Sequence, residues 1–220
     1  MKKKRIGILG GTFNPVHMGH LRTAEEVKEN LALDEVHFIP SFNPPFAKHG
    51  LASFSDRLKM VRTAIRGNPF FAVTDIESKI PGRSYTAHTI HAFMREHPKD
   101  RIFFIMGADT FLELPKWYKP EEVIGKVEVV VILRPPYNIE RLMKIPFLKR
   151  EQRNKLKSVE SRKKVSLLTN VGKRRIVFLR TTPLDISATY IRNQIKKGKS
   201  VKYLLPQKVE SYIISNKLYH

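Results

Sequence analysis

A short glycine-rich stretch near the start of the chain combines a flexible backbone with two imidazole rings. Its sequence, GGTFNPVHMGH, runs from Gly10 to His20 and places His17 three residues before His20. The preceding residues 5–9 are short, apolar and compatible with a β-strand, so the glycines would lie where a first strand passes into a first helix. Backbone N–H groups in such a turn can point at an anion, and imidazole donors can stabilise charge that develops on phosphorus. This spacing indicates a phosphate site built for chemistry.

Two common phosphate-binding patterns do not occur in this turn. It contains neither GxGxxG nor GxxxxGK followed by Ser or Thr. His20 would lie at the entry to the helix, where the helix dipole and free amides add positive potential. A lone histidine is usually a surface or core residue, so the imidazoles alone leave a packing role open.

Composition restricts the class of protein. The chain has 220 residues, no cysteine and a formal net charge of +21. The lack of cysteine excludes disulfides, thiolate metal sites and thiol catalysis, and no apolar run approaches the roughly 20 residues that span a bilayer. We expect a cytoplasmic protein without membrane insertion, built as a single domain over residues 1–220.

The positive charge is concentrated in two tracts. Between Arg141 and Arg175 there are 13 lysines and arginines and only two acids, Glu151 and Glu160, and from Arg192 to Lys208 there are six bases and no acid. Such tracts attract polyanions by counterion release. However, Phe147 is the only aromatic residue of the first tract, and no RNA-binding signature is visible, so a solvated surface is favoured and nucleic-acid binding is a side hypothesis.

Strand-like and helix-like segments alternate along the chain. The predicted strands are 5–9, 36–40, 70–76, 102–106, 127–133 and 176–179, and the predicted helices are 20–31, 53–66, 85–97, 187–197 and 206–217. Ser53 or Ser55 could cap the second helix, Gly198 is a plausible C-cap, and Pro206 suits a first turn. The basic segment 138–175 has no assigned structure.

This alternation predicts an α/β, doubly wound, mainly parallel sheet of about six strands with helices on both faces, a Rossmann-like fold. In such sheets ligands bind beyond the carboxyl ends of the strands. The Gly10 turn directly follows the first strand. The fold and the motif therefore point to the same place.

The string HxGH after GGTF, between a strand and a helix, resembles the signature of the nucleotidylyltransferase superfamily. Within it the chain is similar to the bacterial nicotinate mononucleotide adenylyltransferases, from Arg5 to about Tyr212. Four further segments carry the resemblance: IPSFNPP at 39–45, SYTAHTI at 84–90, GADTFLELPKWY at 107–118 and DISATYIR at 185–192. The last resembles the second superfamily signature.

The resemblance implies transfer of the AMP part of ATP to nicotinate mononucleotide, giving deamido-NAD and pyrophosphate in NAD biosynthesis. The acceptor phosphate would attack the α-phosphorus of ATP directly, with no covalent enzyme intermediate. Since that nucleophile is already an anion, positioning and charge neutralisation would supply the catalysis. Mg²⁺ would arrive with the ATP phosphates, and no metal site made by the protein is expected.

The resemblance also implies which residues form the site. The catalytic residues would be His17, His20 and Arg192, with His20 the strongest candidate for transition-state stabilisation. The ATP-binding residues would be Gly10, Gly11, Thr12, Phe13, His17, His20, Gly107, Asp109, Ile186, Ser187, Thr189 and Arg192. The residues binding nicotinate mononucleotide would be Phe13, Asn14, Lys48, Tyr85, Thr86, Trp117 and Arg134.

Several of these residues have a competing interpretation. Asp109 could accept hydrogen bonds from a ribose or cap a helix. Trp117 could stack on a pyridine ring or simply pack in the core. In the family, backbone amides at the positions of Tyr85 and Thr86 bind the nicotinate carboxylate, which favours an acid over an amide.

Four places depart from the family pattern. Lys48 and His49 are displaced from the double proline, and His88 stands where the family commonly has aspartate. Pro136 replaces a more usual glycine, and Ala188 replaces a frequent serine. These departures put the roles of Lys48, His49 and His88 in doubt.

Other functions stay open at this point. The acceptor could be nicotinamide mononucleotide, phosphopantetheine, or a polyol phosphate used with CTP, although Trp117 and the Tyr85 loop argue against the last two. A third hypothesis is a polyanion-binding protein that keeps the fold without catalysis. The sequence does not predict the oligomeric state.

Overall fold

The computed structural model of the chain describes residues 3–44, 50–134, 139–145, 148, 156, 166–171 and 174–220. Within these residues seven strands form one sheet. In chain order, β1 to β7 are Arg5–Gly11, Glu35–Pro40, Phe71–Val73, Arg101–Gly107, Glu128–Leu133, Ser166–Val171 and Arg174–Arg180. They lie in the order β3-β2-β1-β4-β5-β7-β6. The pairs are parallel except for β6 with β7, which is antiparallel.

Helices connect and cover these strands. In the described residues, α1 to α8 are Met18–Asn30, Phe54–Ile65, Thr86–Glu96, Ala108–Glu113, Pro120–Lys126, Ile139–Met143, Ala188–Lys196 and Gln207–Ser215. Two 3-10 turns, Ile76–Lys79 and Leu114–Lys116, lie between them. The α/β, doubly wound, mainly parallel architecture expected from the sequence is confirmed.

Local hydrogen bonds explain several helix ends. The Ser53 hydroxyl accepts from the backbone N–H of Asp56 at 3.1 Å, which caps α2. The Ser187 hydroxyl likewise accepts from the Tyr190 N–H at 3.1 Å and caps α7. Gly198 follows α7 with a positive φ of 64°, a conformation that suits glycine.

The sheet is buried on both faces. Along β4, Phe104 and Met106 belong to one apolar cluster, while Phe103 and Ile105 belong to the other. The first cluster contains buried residues of α3, α4 and α5, and the second contains buried residues of α1, α2, α7 and α8. Every residue of β5 is buried, so this strand is covered on both faces of the sheet.

Several features differ from the expected elements. The short helices α4, α5 and α6 were not predicted. The predicted strand 70–76 is only Phe71–Val73, because the Thr74 hydroxyl accepts from the N–H of Ile76 at 3.2 Å and the chain then turns into the 3-10 segment that follows Asp75. The antiparallel edge strand β6 lies in the basic segment 138–175, for which no strand was predicted. It adds a seventh strand to the six parallel ones.

The strand order reverses between β1 and β4. Strands β2 and β3 extend the sheet on one side of β1, whereas β4, β5 and β7 extend it on the other. A crevice forms at such a switch point, beyond the carboxyl ends of the strands. This places the turn after β1 beside the end of β4.

Candidate active site

A cleft of about 440 Å³ opens at this switch point. Its walls include Gly10 and Gly11 at the end of β1, Gly107 at the end of β4, and Arg134 after β5. Elements that are far apart in the sequence thus meet around one cavity. Its size suits a nucleotide-sized ligand.

His20 lies in the first turn of α1 and lines the cleft. The backbone N–H of His17 donates to His20 Nδ1 at 3.2 Å. Because a backbone N–H can only donate, Nδ1 carries a lone pair, and in the neutral ring the proton is on Nε2. The His20 ring therefore offers one N–H donor to a ligand in the cleft.

Neighbouring rings hold His20 in place. The His17 ring stacks on it with 3.7 Å between centroids, and the Phe13 ring meets it edge-on at 5.1 Å. His17 is only 4% exposed. A Cβ on Gly19 would lie 3.0 Å from His17 Nδ1, so the small residue at 19 makes room for this stack. His17 is thus buried beneath a partner that faces the cleft.

Both imidazoles are poor bases in this site. Burial lowers the pKa of His17 to about 4, and the charge of Arg134 adds to the effect. Burial also lowers the pKa of His20 well below its usual value, with smaller contributions from His17 and Arg134. Both rings are therefore neutral at pH 7, which agrees with the hydrogen bond to His20 Nδ1.

A buried arginine fixes the backbone of the glycine turn. Arg57 of α2 is 1% exposed, and its Nη1 donates to the carbonyl oxygen of Thr12 at 2.9 Å. In a trans peptide the N–H points away from the carbonyl, so the Thr12–Phe13 peptide is oriented with the Phe13 N–H on the side opposite Arg57. Phe13 has a positive φ of 47°. This turn presents a backbone donor in a fixed direction.

A second polar segment approaches the first from the end of β7. The carbonyl oxygen of Ile186 lies 3.7 Å from the position of a Cβ on Gly19. Arg192 of α7 donates from Nη1 to the carbonyl of Asn14 at 2.8 Å and from Nη2 to Thr189 Oγ1 at 3.3 Å. The two segments that the sequence singled out are therefore in contact.

The Asp109 carboxylate lies directly over Gly107. A Cβ on Gly107 would come within 2.4 Å of Asp109 Oδ1, so residue 107 must be glycine for this arrangement. The N-cap of α4 is Gly107 itself, which makes the N-cap interpretation of Asp109 wrong. Asp109 lies in the first turn of α4 and lines the cleft.

Aromatic residues form the opposite part of the cleft. Tyr85 stacks on Tyr118 with 4.8 Å between ring centroids, and His88 meets both rings edge-on. Trp117 is partly buried, packs against the first apolar cluster and lines the cleft. Packing and a ligand contact are therefore compatible for Trp117.

The sequence and fold of the chain have clear relatives. The family model described as cytidylyltransferase-like matches residues 8–194. Probable nicotinate-nucleotide adenylyltransferases of Geotalea daltonii and Geobacter sulfurreducens are each 40% identical to this chain, with 98% of both chains covered. The chain is a member of this nicotinate-nucleotide adenylyltransferase family.

Solved structures show the same fold at lower sequence identity. Nicotinic acid mononucleotide adenylyltransferase of Plasmodium falciparum, complexed with NaAD, superposes with a TM-score of 0.74 at 18% identity, covering 98% of this chain and 97% of that one. A putative nicotinate-nucleotide adenylyltransferase of Vibrio parahaemolyticus gives 0.65 at 19% identity, covering 98% and 95%. At these identities the likeness concerns the fold.

The structure places many of the predicted site residues around the cleft. Ten of them line it: Gly10, Gly11, Thr12, His20, Tyr85, Thr86, Gly107, Asp109, Trp117 and Arg134. Phe13 and His17 contact the His20 ring, and the Ile186 carbonyl lies near Gly19. Arg192 donates to Asn14 and Thr189, and Ser187 caps α7. Lys48, His49 and Pro136 lie outside the described residues.

Asn14 has a different setting from the one expected. Its side chain is 3% exposed, and its amide donates to the Gly50 carbonyl at 3.0 Å. Its Oδ1 accepts from the Ala52 N–H at 3.0 Å and from the Tyr219 hydroxyl at 2.7 Å. These partners satisfy the amide, which ties together three segments of the adenylyltransferase below the glycine turn.

Three charged residues near the site were missed by sequence reasoning. Arg57 holds the glycine turn, and Glu77 lines the cleft while accepting from the Phe42 N–H at 3.0 Å and the Thr89 hydroxyl at 2.8 Å. Glu26 accepts from the N–H of Thr182 at 2.8 Å. Because their partners lie far away in the sequence, no local sequence pattern predicts these roles.

No helix among the described residues is long and apolar enough to cross a membrane. In the same part of the chain, no group of three or more histidine, aspartate or glutamate side chains is placed to hold a metal ion.

Proposed function

We propose that this chain joins the AMP part of ATP to nicotinate mononucleotide and releases pyrophosphate. The observation that carries the proposal is the His20 ring in the cleft wall beside the glycine turn at the end of β1, where no described residue accepts its Nε2 proton. The names of the curated relatives over 98% of the chain support the choice of substrates.

The proposed step is a direct displacement. An oxygen of the acceptor phosphate forms a bond to the α-phosphorus of ATP, the bond from that phosphorus to the bridging oxygen breaks, and pyrophosphate leaves with the electron pair. His20 Nε2–H and the Phe13 N–H would stabilise the charge on the phosphate oxygens. A neutral donor suffices, because the acceptor phosphate needs no general base.

The segment 185–192 would hold the rest of the triphosphate. Ser187 and Thr189 lie at the start of α7, where backbone N–H groups lack partners within the helix. Arg192 uses two of its five N–H donors in the bonds to Asn14 and Thr189. Its charge would complement the phosphates from the side opposite His20.

The aromatic part of the cleft would hold the acceptor. Thr86 is the first residue of α3, and its N–H has no acceptor within that helix. The Tyr85 N–H donates to the Arg83 carbonyl at 2.8 Å, so a carboxylate would reach it only after this turn opens. Trp117 and Tyr118 offer ring faces, and Arg134 offers a cation.

Magnesium enters this proposal as part of the MgATP substrate. Mg²⁺ prefers carboxylate, phosphate and water oxygens and keeps several waters. Among the described residues no group of three or more histidine, aspartate or glutamate side chains is placed to hold a metal ion, and Asp109, which lines the cleft, would accept hydrogen bonds from the ribose of ATP. We also propose a cytoplasmic enzyme of one domain, in which α7 and α8 pack on the main sheet.

Pyrophosphate release tests the proposal. The purified protein is incubated with ATP, Mg²⁺ and either nicotinate or nicotinamide mononucleotide, and kcat/KM is compared. We expect a higher value for nicotinate mononucleotide, since backbone N–H donors favour a carboxylate over a carboxamide. The proposed acceptor would be overturned if pyrophosphate were released only when phosphopantetheine accepts from ATP. Release only when glycerol phosphate accepts from CTP would also overturn it.

A further inference from the structure

Glu26 is a buried carboxylate outside the cleft. It lies on α1 and is 7% exposed. Its Oε1 accepts from Arg22 Nε at 2.6 Å, one turn earlier on the same helix, and its Oε2 accepts from the backbone N–H of Thr182 at 2.8 Å. The second bond spans 156 positions of the sequence. A buried charge with such a distant partner links two parts of the fold.

The partner segment has no regular structure of its own. Residues 181–187 follow β7 and lie in neither helix nor strand, and they lead directly to Ser187 at the N-cap of α7. Among the described residues, the bond from Thr182 fixes the start of this segment to α1. The segment needs such anchors because no strand ladder or helix supports it.

The helix that carries Glu26 also carries His20. Six residues separate them, which is about 9 Å along a helix axis. A helix is stiff over this length, so a contact at Glu26 fixes the position of segment 181–187 relative to His20. The Glu26 side chain thereby helps to fix the two ends of the proposed triphosphate site relative to each other.

Two other contacts join the same segments, but both involve groups of the site itself. They are the approach of the Ile186 carbonyl to Gly19 and the bond from Arg192 to Asn14. Arg192 would change partners when phosphate binds. Glu26 lies away from the cleft walls and can hold its partner throughout the reaction.

The charge of Glu26 suits this role. Burial works to raise its pKa, but hydrogen bonds from Thr182 and Arg22 outweigh burial and leave the pKa below its usual value. The group is ionised at neutral pH. Arg22 balances its charge, so that the carboxylate adds little repulsion toward a triphosphate.

We propose that Glu26 is a positioning residue that holds segment 181–187 against α1 and so sets the distance between His20 and the phosphate-binding start of α7. This inference rests on the proposed function for its kinetic consequence. Its structural consequence, the ordering of segment 181–187, is independent of any activity.

The test compares Glu26→Ala and Glu26→Gln with Glu29→Ala, which removes an exposed carboxylate from the same helix. In Glu26→Ala we expect the KM for ATP to rise about tenfold, by analogy with the loss of a hydrogen bond to a charged group, while the KM for nicotinate mononucleotide changes less than twofold. Glu26→Gln keeps an acceptor for the Thr182 N–H, so its KM for ATP should stay within threefold of wild type.

Hydrogen exchange supplies the second readout. In Glu26→Ala we expect faster amide exchange at residues 181–187 but unchanged exchange in β1, β4 and β5; in Glu29→Ala we expect no change. An equal rise of both KM values, or exchange at 181–187 identical to that of Glu29→Ala, would overturn the proposal. If Glu26→Ala does not fold, exchange is measured on Glu26→Gln, whose uncharged amide accepts a weaker bond from Thr182. Slightly faster exchange confined to residues 181–187 is then expected, and faster exchange throughout the sheet would overturn the proposal.

If the wild-type chain transfers no adenylyl group, the proposed function fails, but the exchange data still support or refute the role of Glu26. Equilibrium binding of MgATP to the three variants then replaces the KM values. A tenfold weaker affinity in Glu26→Ala alone is the expected result. Equal affinities in all three variants would contradict the proposal.

Discussion

The guanidinium of Arg57 donates to the carbonyl oxygen of Thr12 at 2.9 Å, across 45 positions of the sequence. Its Nε also donates to the Ala52 carbonyl at 3.1 Å. A buried cation thus lies beneath the turn that would hold the ATP phosphates. Burial lowers the pKa of Arg57, but an arginine starts so high that it stays charged at neutral pH.

Replacing Arg57 should damage both the turn and the reaction. In Arg57→Met two partly buried carbonyls each lose a charged donor, which costs about 1.5 to 3 kcal/mol each in unfolding free energy. Because the Thr12–Phe13 peptide is then free to rotate, we expect kcat/KM for ATP to fall at least tenfold. Arg57→Lys keeps the charge without the planar guanidinium, so its kcat/KM for ATP should lie between those of the wild type and Arg57→Met.

Arg62→Met is the matched control for Arg57, since Arg62 is exposed on the same helix. Steady-state kinetics of the variants gives kcat/KM for ATP, and urea unfolding gives the free energy of unfolding. A folded Arg57→Met enzyme with wild-type kcat/KM for ATP would show that the bond to Thr12 does not position the turn.

Gly19→Ala should lower turnover through the histidine stack. The new Cβ would lie 3.0 Å from His17 Nδ1 and 3.2 Å from its Cε1, so the His17 ring must move and His20 with it. We expect kcat to fall about tenfold or more, as small displacements of catalytic groups do.

Gly125→Ala serves as the control for Gly19, because a Cβ there meets nothing within 4 Å. Alanine at this helical position should raise the unfolding free energy by about 0.5 to 1 kcal/mol and leave kcat unchanged. Equal kcat values for the two alanine variants would contradict the role given to the stack.

The buried histidines should make the fold sensitive to acid. The pKa of His17 is about 4 when folded, against an ordinary value of 6.5, so below pH 6.5 the unfolded chain binds a proton that the folded chain does not. Stability is therefore complete above pH 6.5 and falls as the pH is lowered toward 4. From pH 7 to pH 4.5, His17 should account for a loss of about 2 to 3 kcal/mol.

Urea unfolding at several pH values checks this dependence. Between pH 7 and pH 4.5, His17→Asn should lose about 2 to 3 kcal/mol less unfolding free energy than the wild type loses. His20 contributes in the same direction, so some acid sensitivity should persist. Identical pH dependence in the variant and the wild type would refute the shifted pKa.

Much of the fold follows from local signals, but its polar framework does not. The sequence offered Ser53 or Ser55 as the cap of α2, and the structure shows that Ser53 caps it. Gly198 follows α7 as expected. The shortening of β3 depends on a hydrogen bond of Thr74 that competes with the strand, and that choice is not visible in an apolar run. Among the described residues, strand β6 pairs with β7 alone, and it lies in a segment dominated by charge.

The candidate site also combines residues that the local sequence predicts with residues that it does not predict. The glycine turn and His20 are contiguous in sequence, so their pattern could be read directly. Arg57, Glu77 and Glu26 act through partners that only the folded chain brings near, and their residue types are common on helix surfaces. Asn14 was expected among the residues that bind nicotinate mononucleotide, and this stays a prediction; its side chain is hydrogen-bonded to Gly50, Ala52 and Tyr219.

Trp117 should affect the acceptor more than ATP. It lines the aromatic part of the cleft, where loss of a stacking face costs about 0.5 to 1.5 kcal/mol. In Trp117→Ala we expect the KM for nicotinate mononucleotide to rise about threefold to tenfold, with a smaller change in the KM for ATP. Trp117→Phe keeps an aromatic ring, so its KM for nicotinate mononucleotide should rise less. A rise in the KM for ATP alone would contradict a contact between Trp117 and the acceptor.

The central claim is that His20 stabilises the phosphate charge during adenylyl transfer. The most direct measurement is the rate of pyrophosphate release at saturating MgATP and nicotinate mononucleotide, for the wild type and for His20→Ala. We expect the wild type to turn over and the variant to be slower by about 10²- to 10³-fold, as when one oxyanion donor is removed. Full turnover in His20→Ala would contradict the claim.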